Sequence, residues 1–248
     1  MPTLRDDAIC IRHWDWSETS QTVSLFTREH GVLRGIAKGS KREKAPFSGG
    51  LEILTRGEVL AITKPGAGLA TLTAWDLTQT YPACREDLTR HHAGLYAIDL
   101  IHHALPESDP HPALFDLLGE SLGSIGTILP GVFPDAVILR FQAGLLREMG
   151  HEPQLEPGGL PESDTLGFDP ETGSLTRDPG PGASGVWRIR RRTLGVLRRP
   201  ASEADPADLD RANRFLAACL THQLGSPPHT QQAALDAITR TLRTSQSG

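Results

Sequence analysis

Three cysteines in 248 residues, Cys10, Cys84 and Cys219, lie far apart and form no CxxC pair. That spacing excludes a disulfide framework and a thiolate zinc site, and it fits a reducing compartment. No apolar run approaches the ~20 residues that cross a bilayer, and the amino terminus, MPTLRDDAI, lacks a signal-peptide core. A cytoplasmic chain is expected. Phosphate loop, Rossmann glycine fingerprint and HExxH pair are all missing, which removes the common nucleotide-cradling and zinc-hydrolase chemistries. Carboxylates are plentiful, yet none pair into an acid–base constellation. The residues offer binding rather than turnover, with no cofactor.

What is present is an ordinary globular composition, 38% hydrophobic and 22% charged, long enough for one large domain or two or three small ones. The formal net charge of −5 gives no argument for nucleic acid. The distribution does, because local potential steers a ligand more than the sum. Acidic residues crowd 152–178 and 203–210, from Glu152 to Asp178 and from Glu203 to Asp210. Basic residues concentrate in 34–44, with Arg34, Lys38, Lys41, Arg42 and Lys44, and again in 188–199. The second run, Arg188, Arg190, Arg191, Arg192, Arg198 and Arg199, has no acid between Gly185 and Ser202.

The first eighty residues read as strands over Ala8–Trp14, Thr22–Arg28, Val32–Ala37, Leu51–Thr63 and Leu69–Thr80. Glu29-His30-Gly31 and Lys64-Pro65-Gly66-Ala67-Gly68 supply the turns. Five strands without a helical period predict a small closed barrel of the OB type, with an SH3-like barrel as competitor. After Pro82 the period changes to that of helices, at Asp87–Leu105, His111–Ile128, Pro134–Met149, 206–224 and 230–243. Residues 152–185, rich in Pro, Gly, Ser and acid, predict an irregular excursion or a weak hairpin. The class is therefore α+β, with a barrel over 1–80 and a helical domain over 81–248 that carries this cysteine-free insertion.

Two motifs give way to ordinary readings. Gly119-Glu120-Ser121-Leu122-Gly123 matches a serine-hydrolase elbow but falls inside a helical stretch, not on a strand-to-helix turn. His91-His92 and His102-His103 share a helix face about 16 Å apart, too far for one metal. Among the tryptophans and phenylalanines, Trp14, Trp16, Trp75 and Phe47 read as core or as stacking platform alike. The basic run at 34–44 reads either as a solvated sheet edge or as an anion site. Gly35, Gly39, Gly49 and Gly50, with Ser40 and Ser48, leave little bulk around its charges, so backbone amides can approach a phosphate.

"WSETSQTVSLFTREHGVLRGIAKGSKREKAPFSG", residues 16–49, resembles the amino-terminal signature of the RecO family of DNA-repair and recombination mediators. "LATLTAWDLTQTY", "AGLYAIDLIHHAL", "HPALFDLLGESL", "ILRFQAGLLREMGHEP" and "ANRFLAACLTHQLG" resemble its later blocks in order. The resemblance implies an OB-fold domain followed by helices and no turnover of a small molecule. It also implies binding of single- and double-stranded DNA and strand annealing. The implied partners are RecR, with which such a protein helps load RecA onto DNA coated by single-stranded DNA-binding protein (SSB), and the SSB tail, in a cytoplasmic, nucleoid-associated setting. By position, Lys38, Lys41, Arg42 and Lys44 fall on the family's DNA-contacting barrel surface. Arg34 and the arginines Arg188, Arg190, Arg191 and Arg192 join them as candidate DNA contacts. Arg140, with Arg147 behind it, falls on the block implicated in holding the SSB tail. Many family members carry a four-cysteine zinc module where 152–185 lies; without cysteine, no zinc is expected here. A protein adaptor for RecR and SSB with residual DNA affinity is the competing reading.

Overall fold

The computed structural model describes residues 3–42, 44–47, 51–64, 66, 68–198 and 204–245. Ser48, Gly49, Gly50, Pro65, Ala67, Arg199 and Glu203, each part of an expectation above, lie outside them. The chain divides into two compact units, Met1–Gly131 and Val132–Gly248.

In the first unit, β1 (Thr3–Asp15), β2 (Gln21–Thr27), β3 (Gly31–Ala37), β4 (Thr55–Ile62) and β5 (Ala70–Thr80) close a barrel in the order β1-β2-β3-β5-β4. Antiparallel β4–β1 pairing and a short parallel β3–β5 contact close the ring. Alternation along the strands sends Ala8, Cys10, Val23, Leu25, Leu33, Val59, Ala61 and Leu72 inward, where Trp75 completes the core. Gly31 has φ of +71°, and a Cβ there would stand 2.3 Å from the Asp109 carbonyl oxygen. The hairpin between β2 and β3 thus needs glycine for conformation and space together.

Three helices follow in the same unit: α1 (Ala83–Glu86), α2 (Leu88–Ala104) and α3 (Pro112–Ile125). Asp87 caps α2 by accepting from the Arg90 amide at 2.8 Å, and Pro112 opens α3. The first compact unit thus holds these helices together with the barrel, extending to Gly131. The outer face of the barrel explains this. Phe26 of β2 meets Phe115 of α3 edge-on at 5.6 Å. Arg12 of β1 is ion-paired to the buried Asp99 of α2, and the Arg28 guanidinium donates to both oxygens of Asp116. Gly119 and Ser121, the would-be elbow, sit buried within α3.

The second unit holds α4 (Asp135–Glu148), β6 (Thr165–Asp169), β7 (Ser174–Thr176), β8 (Trp187–Arg190), α5 (Arg191–Leu197), α6 (Pro206–Leu224) and α7 (Gln231–Ser245). Gly150 and Gly225, both at positive φ, follow α4 and α6 where the chain must turn left-handed. The insertion is more regular than its composition predicts. Its strands form a three-stranded sheet in the order β7-β6-β8. Phe168 of β6 is the anchor, packed at 5.8 Å from Trp187 of β8 and 4.8 Å from Phe215 of α6. Arg191 fixes the approach to this sheet by donating to the carbonyls of Pro161 at 2.7 Å and Ser163 at 3.0 Å.

Helices α4 and α6 meet through polar groups as well as leucines. Gln142 Nε2 donates to Asn213 Oδ1 at 2.9 Å, and Asn213 Nδ2 donates to the Asp135 carbonyl at 3.1 Å. Burial, and then the neighbouring Asp210 carboxylate, push the Asp135 carboxyl up to about 7, with Arg214 opposing. The folded-state value lies above the unfolded one, so the folded chain holds this proton more tightly. The stabilisation is full below about pH 4 and is lost as pH rises through about 7. Urea unfolding of the wild type and Asp135→Asn checks this: the variant is expected to gain on the order of 1 kcal/mol or more over wild type near pH 8 and little near pH 4.

Candidate nucleic-acid interface

One irregularity in β1 creates the site. Cys10 pairs with Leu25 but Arg12 pairs with Ser24, so the strand carries an extra residue at Ile11. A bulge of one residue reverses which side chains face out. Beyond it Arg12 and Trp14 point away from the core, opposite Ser24 and Thr22 of β2. The register continues to Arg34 and Ile36 of β3, and from Ile36 to Thr71 of β5. Two outward rows result: Arg12, Ser24 and Arg34, then Trp14, Thr22, Ile36 and Thr71. Side chains of the helical segment reach the first row, since Arg12 pairs with Asp99 and Arg34 with Glu107 at 3.2 Å. The second row is open. Trp14 is 45% exposed, and Trp16, in the loop that follows, is 64% exposed. Trp75 and Phe47, by contrast, are core.

The loop carrying Trp16 is fastened to the basic turn after β3. The Trp16 amide donates to the Ser20 carbonyl at 3.0 Å, and the Gly39 amide donates to the Ser20 hydroxyl at 3.1 Å. The Lys41 amide donates to the Thr19 carbonyl at 3.2 Å, and the Ser40 hydroxyl to the Gln21 side-chain oxygen at 3.1 Å. Between loop and turn lies an open cleft of about 350 Å³, lined by Trp16, Ile36, Lys38 and Arg42 among others.

The predicted cations fare differently. Lys41 is ion-paired to Asp15 at 2.6 Å, which holds that carboxyl below its usual range, and Arg34 is paired as described. Lys38, Arg42 and Lys44 are exposed and make no ion pair among the described residues. Glu18 in the facing loop is exposed as well, so the positive excess is local and modest.

In the second unit, Arg188 forks onto Asp178 at 2.7 and 2.8 Å, and this hydrogen-bonded pairing lowers the Asp178 carboxyl to about 2. Arg192 pairs with Asp208 at 3.0 Å, Arg198 with Glu156 at 2.9 Å, and Arg191 is spent on backbone carbonyls. Arg190 is exposed and lines a cleft of about 420 Å³ together with Asp164, Arg191 and Arg192. Most of this run is thus matched within its own unit. Arg140 is exposed on α4, and Arg147 in its last turn is paired to Glu152 at 2.8 Å.

Cys10, Cys84 and Cys219 are free and buried, and burial pushes the Cys84 thiol up to about 11, far from a ready thiolate ligand. Among the described residues, no three His, Cys, Asp or Glu side chains gather to hold a metal. The residues do not fit the zinc module of the resembling family. The histidine pairs make local contacts instead: His91 Nδ1 donates to the Cys84 carbonyl at 2.7 Å, and His103 sits against Asp99. Among the described residues, no helix is long and apolar enough to cross a membrane.

A five-stranded barrel with an open outer face, followed by a largely helical second unit, defines an OB-fold protein of α+β class. The family comparisons agree in both halves. Residues 1–81 match the family model for the N terminal of recombination protein O, and residues 85–232 match that for its C terminal. The chain belongs to the RecO family. It is 36% identical over 146 residues to DNA repair protein RecO of Rhodopirellula baltica, covering 59% of this chain and only 53% of that one. The protein of the same name from Myxococcus xanthus is 30% identical over 183 residues, covering 72% and 73%. That of an Anaeromyxobacter species is 29% identical over 237 residues, covering 90% and 91%.

Proposed function

We propose that this chain is a DNA repair and recombination mediator, acting in the cytoplasm at the nucleoid. In this reading it binds single- and double-stranded DNA, anneals complementary strands and, with RecR, helps load RecA onto SSB-coated DNA. It turns over no small molecule. The observation that carries the proposal is the open barrel face on which Trp14 and Trp16 stand beside Lys38 and Arg42. Each phosphate neutralised there releases condensed counterion, giving affinity without sequence preference. Two strands held on positive surface lose part of their mutual repulsion and find register sooner. Arg190 and the cleft it lines with Arg191 and Arg192 are assigned as a further anion contact, with Arg188 on the same strand as an outlying candidate. Arg140 and Arg147 are assigned to the acidic SSB tail.

The internal pairing of Arg34, Lys41, Arg188 and Arg192 favours a second reading, a protein adaptor for RecR and SSB with residual DNA affinity. Annealing of complementary oligonucleotides at two salt concentrations separates the two. A mediator accelerates annealing at low salt and loses the effect steeply as salt rises. No acceleration and no single-strand binding at low salt would leave the adaptor.

A further inference from the structure

We infer that Trp16 is a stacking platform for an unpaired base, with the flanking phosphates on Lys38 and Arg42, so that this cleft selects single-stranded over duplex DNA. The inference rests on the DNA-binding reading above and adds a determinant to it.

A tryptophan side chain is normally placed where most of its large apolar surface leaves water. Trp75 follows that rule and Trp16 does not. No fold requirement accounts for the exposure, because the loop is held by its backbone and by Ser20, Gly39 and Lys41 without use of the indole. The ring is therefore presented on a fixed support, and little ordering of the backbone remains to be done on binding. Trp14 extends the apolar surface along the adjoining sheet row.

The charges beside it make no ion pair among the described residues. Lys38 and Arg42 line the same cleft as Trp16, whereas the neighbouring Lys41 is occupied by Asp15. A flat aromatic surface next to two available cations matches a base attached to its phosphates. In duplex DNA both faces of each base are covered by its neighbours, so only an unpaired or splayed base can lie on the indole. The phosphates of either form can reach the cations. Stacking thus adds affinity for single strands alone, while Lys38 and Arg42 serve both.

Equilibrium binding of the full chain to three ligands at low salt tests this: an oligothymidylate, the same backbone with abasic spacers, and a duplex of equal length. Trp16→Ala is expected to weaken oligothymidylate binding about 10- to 100-fold and to leave the abasic and duplex ligands unchanged, which also shows that the variant is folded. Trp16→Phe restores most of the loss. An equal loss on all three ligands, or no loss on oligothymidylate, overturns the platform while the DNA-binding reading stands. Wild type that binds none of the three overturns both.

Discussion

Replacing Lys38, Arg42 and Lys44 together by alanine is expected to weaken single-stranded DNA binding about 100-fold near 50 mM salt, with the deficit closing as salt approaches about 1 M. The log-affinity against log-salt slope should flatten by up to about two, since each phosphate contact on a single strand contributes about 0.7. These three side chains are exposed and unpaired among the described residues, so their charge is available to a polyanion. Lys41→Ala should cost far less, because Asp15 already satisfies that ammonium at 2.6 Å. Folding should be nearly unaffected, as exposed charges contribute little to stability. Fluorescence anisotropy across a salt series measures both quantities. An unchanged slope in the triple variant would move the DNA surface elsewhere, with Arg190 the next place to look.

The second large effect concerns the insertion. Phe168→Ala is expected to destabilise the second unit by about 3–5 kcal/mol, the range for truncating a buried phenylalanine. Phe168 is 2% exposed and packs between Trp187 and Phe215, so its loss opens a cavity where the small sheet meets α6. For a unit of this size the midpoint of thermal unfolding should fall by about 10 °C or more. Chelator should leave the wild-type midpoint unchanged, since among the described residues no three His, Cys, Asp or Glu side chains gather to hold a metal. Calorimetry with and without chelator measures both. A chelator-sensitive midpoint, or a Phe168→Ala variant as stable as wild type, would contradict this account.

The barrel was legible because its strands alternate cleanly and its turns carry glycine, and the long helices because their apolar period runs over three turns or more. The strands β6, β7 and β8 were not, at three to five residues each, for in so short a span period two and period 3.6 predict nearly the same pattern. The outward placement of Trp14 was not legible for a different reason. Counting by twos from Ala8 and Cys10 puts it in the core, and only the bulge at Ile11, a property of the paired strands, turns it out. The sequence displays the charged runs but not which of their members are ion-paired. Arg34 finds Glu107, Arg188 finds Asp178 and Arg192 finds Asp208 through tertiary placement that sequence distance conceals. Among the described residues, Lys38, Arg42, Lys44 and Arg190 make no ion pair.

The parallel seam of the barrel spans only Gly35–Ala37 against Ala70–Leu72. Beyond it, the Trp75 amide donates to the Pro46 carbonyl at 2.9 Å, and Phe47 bridges to Trp75, so the strap leaving the basic turn stoppers the gap. Cargo held by Lys38, Arg42 and Lys44 would therefore tug on the same ribbon that keeps the cylinder shut. Occupancy of the surface and integrity of the barrel would then rise and fall together, as mass action requires of any ligand that recognises only the closed form.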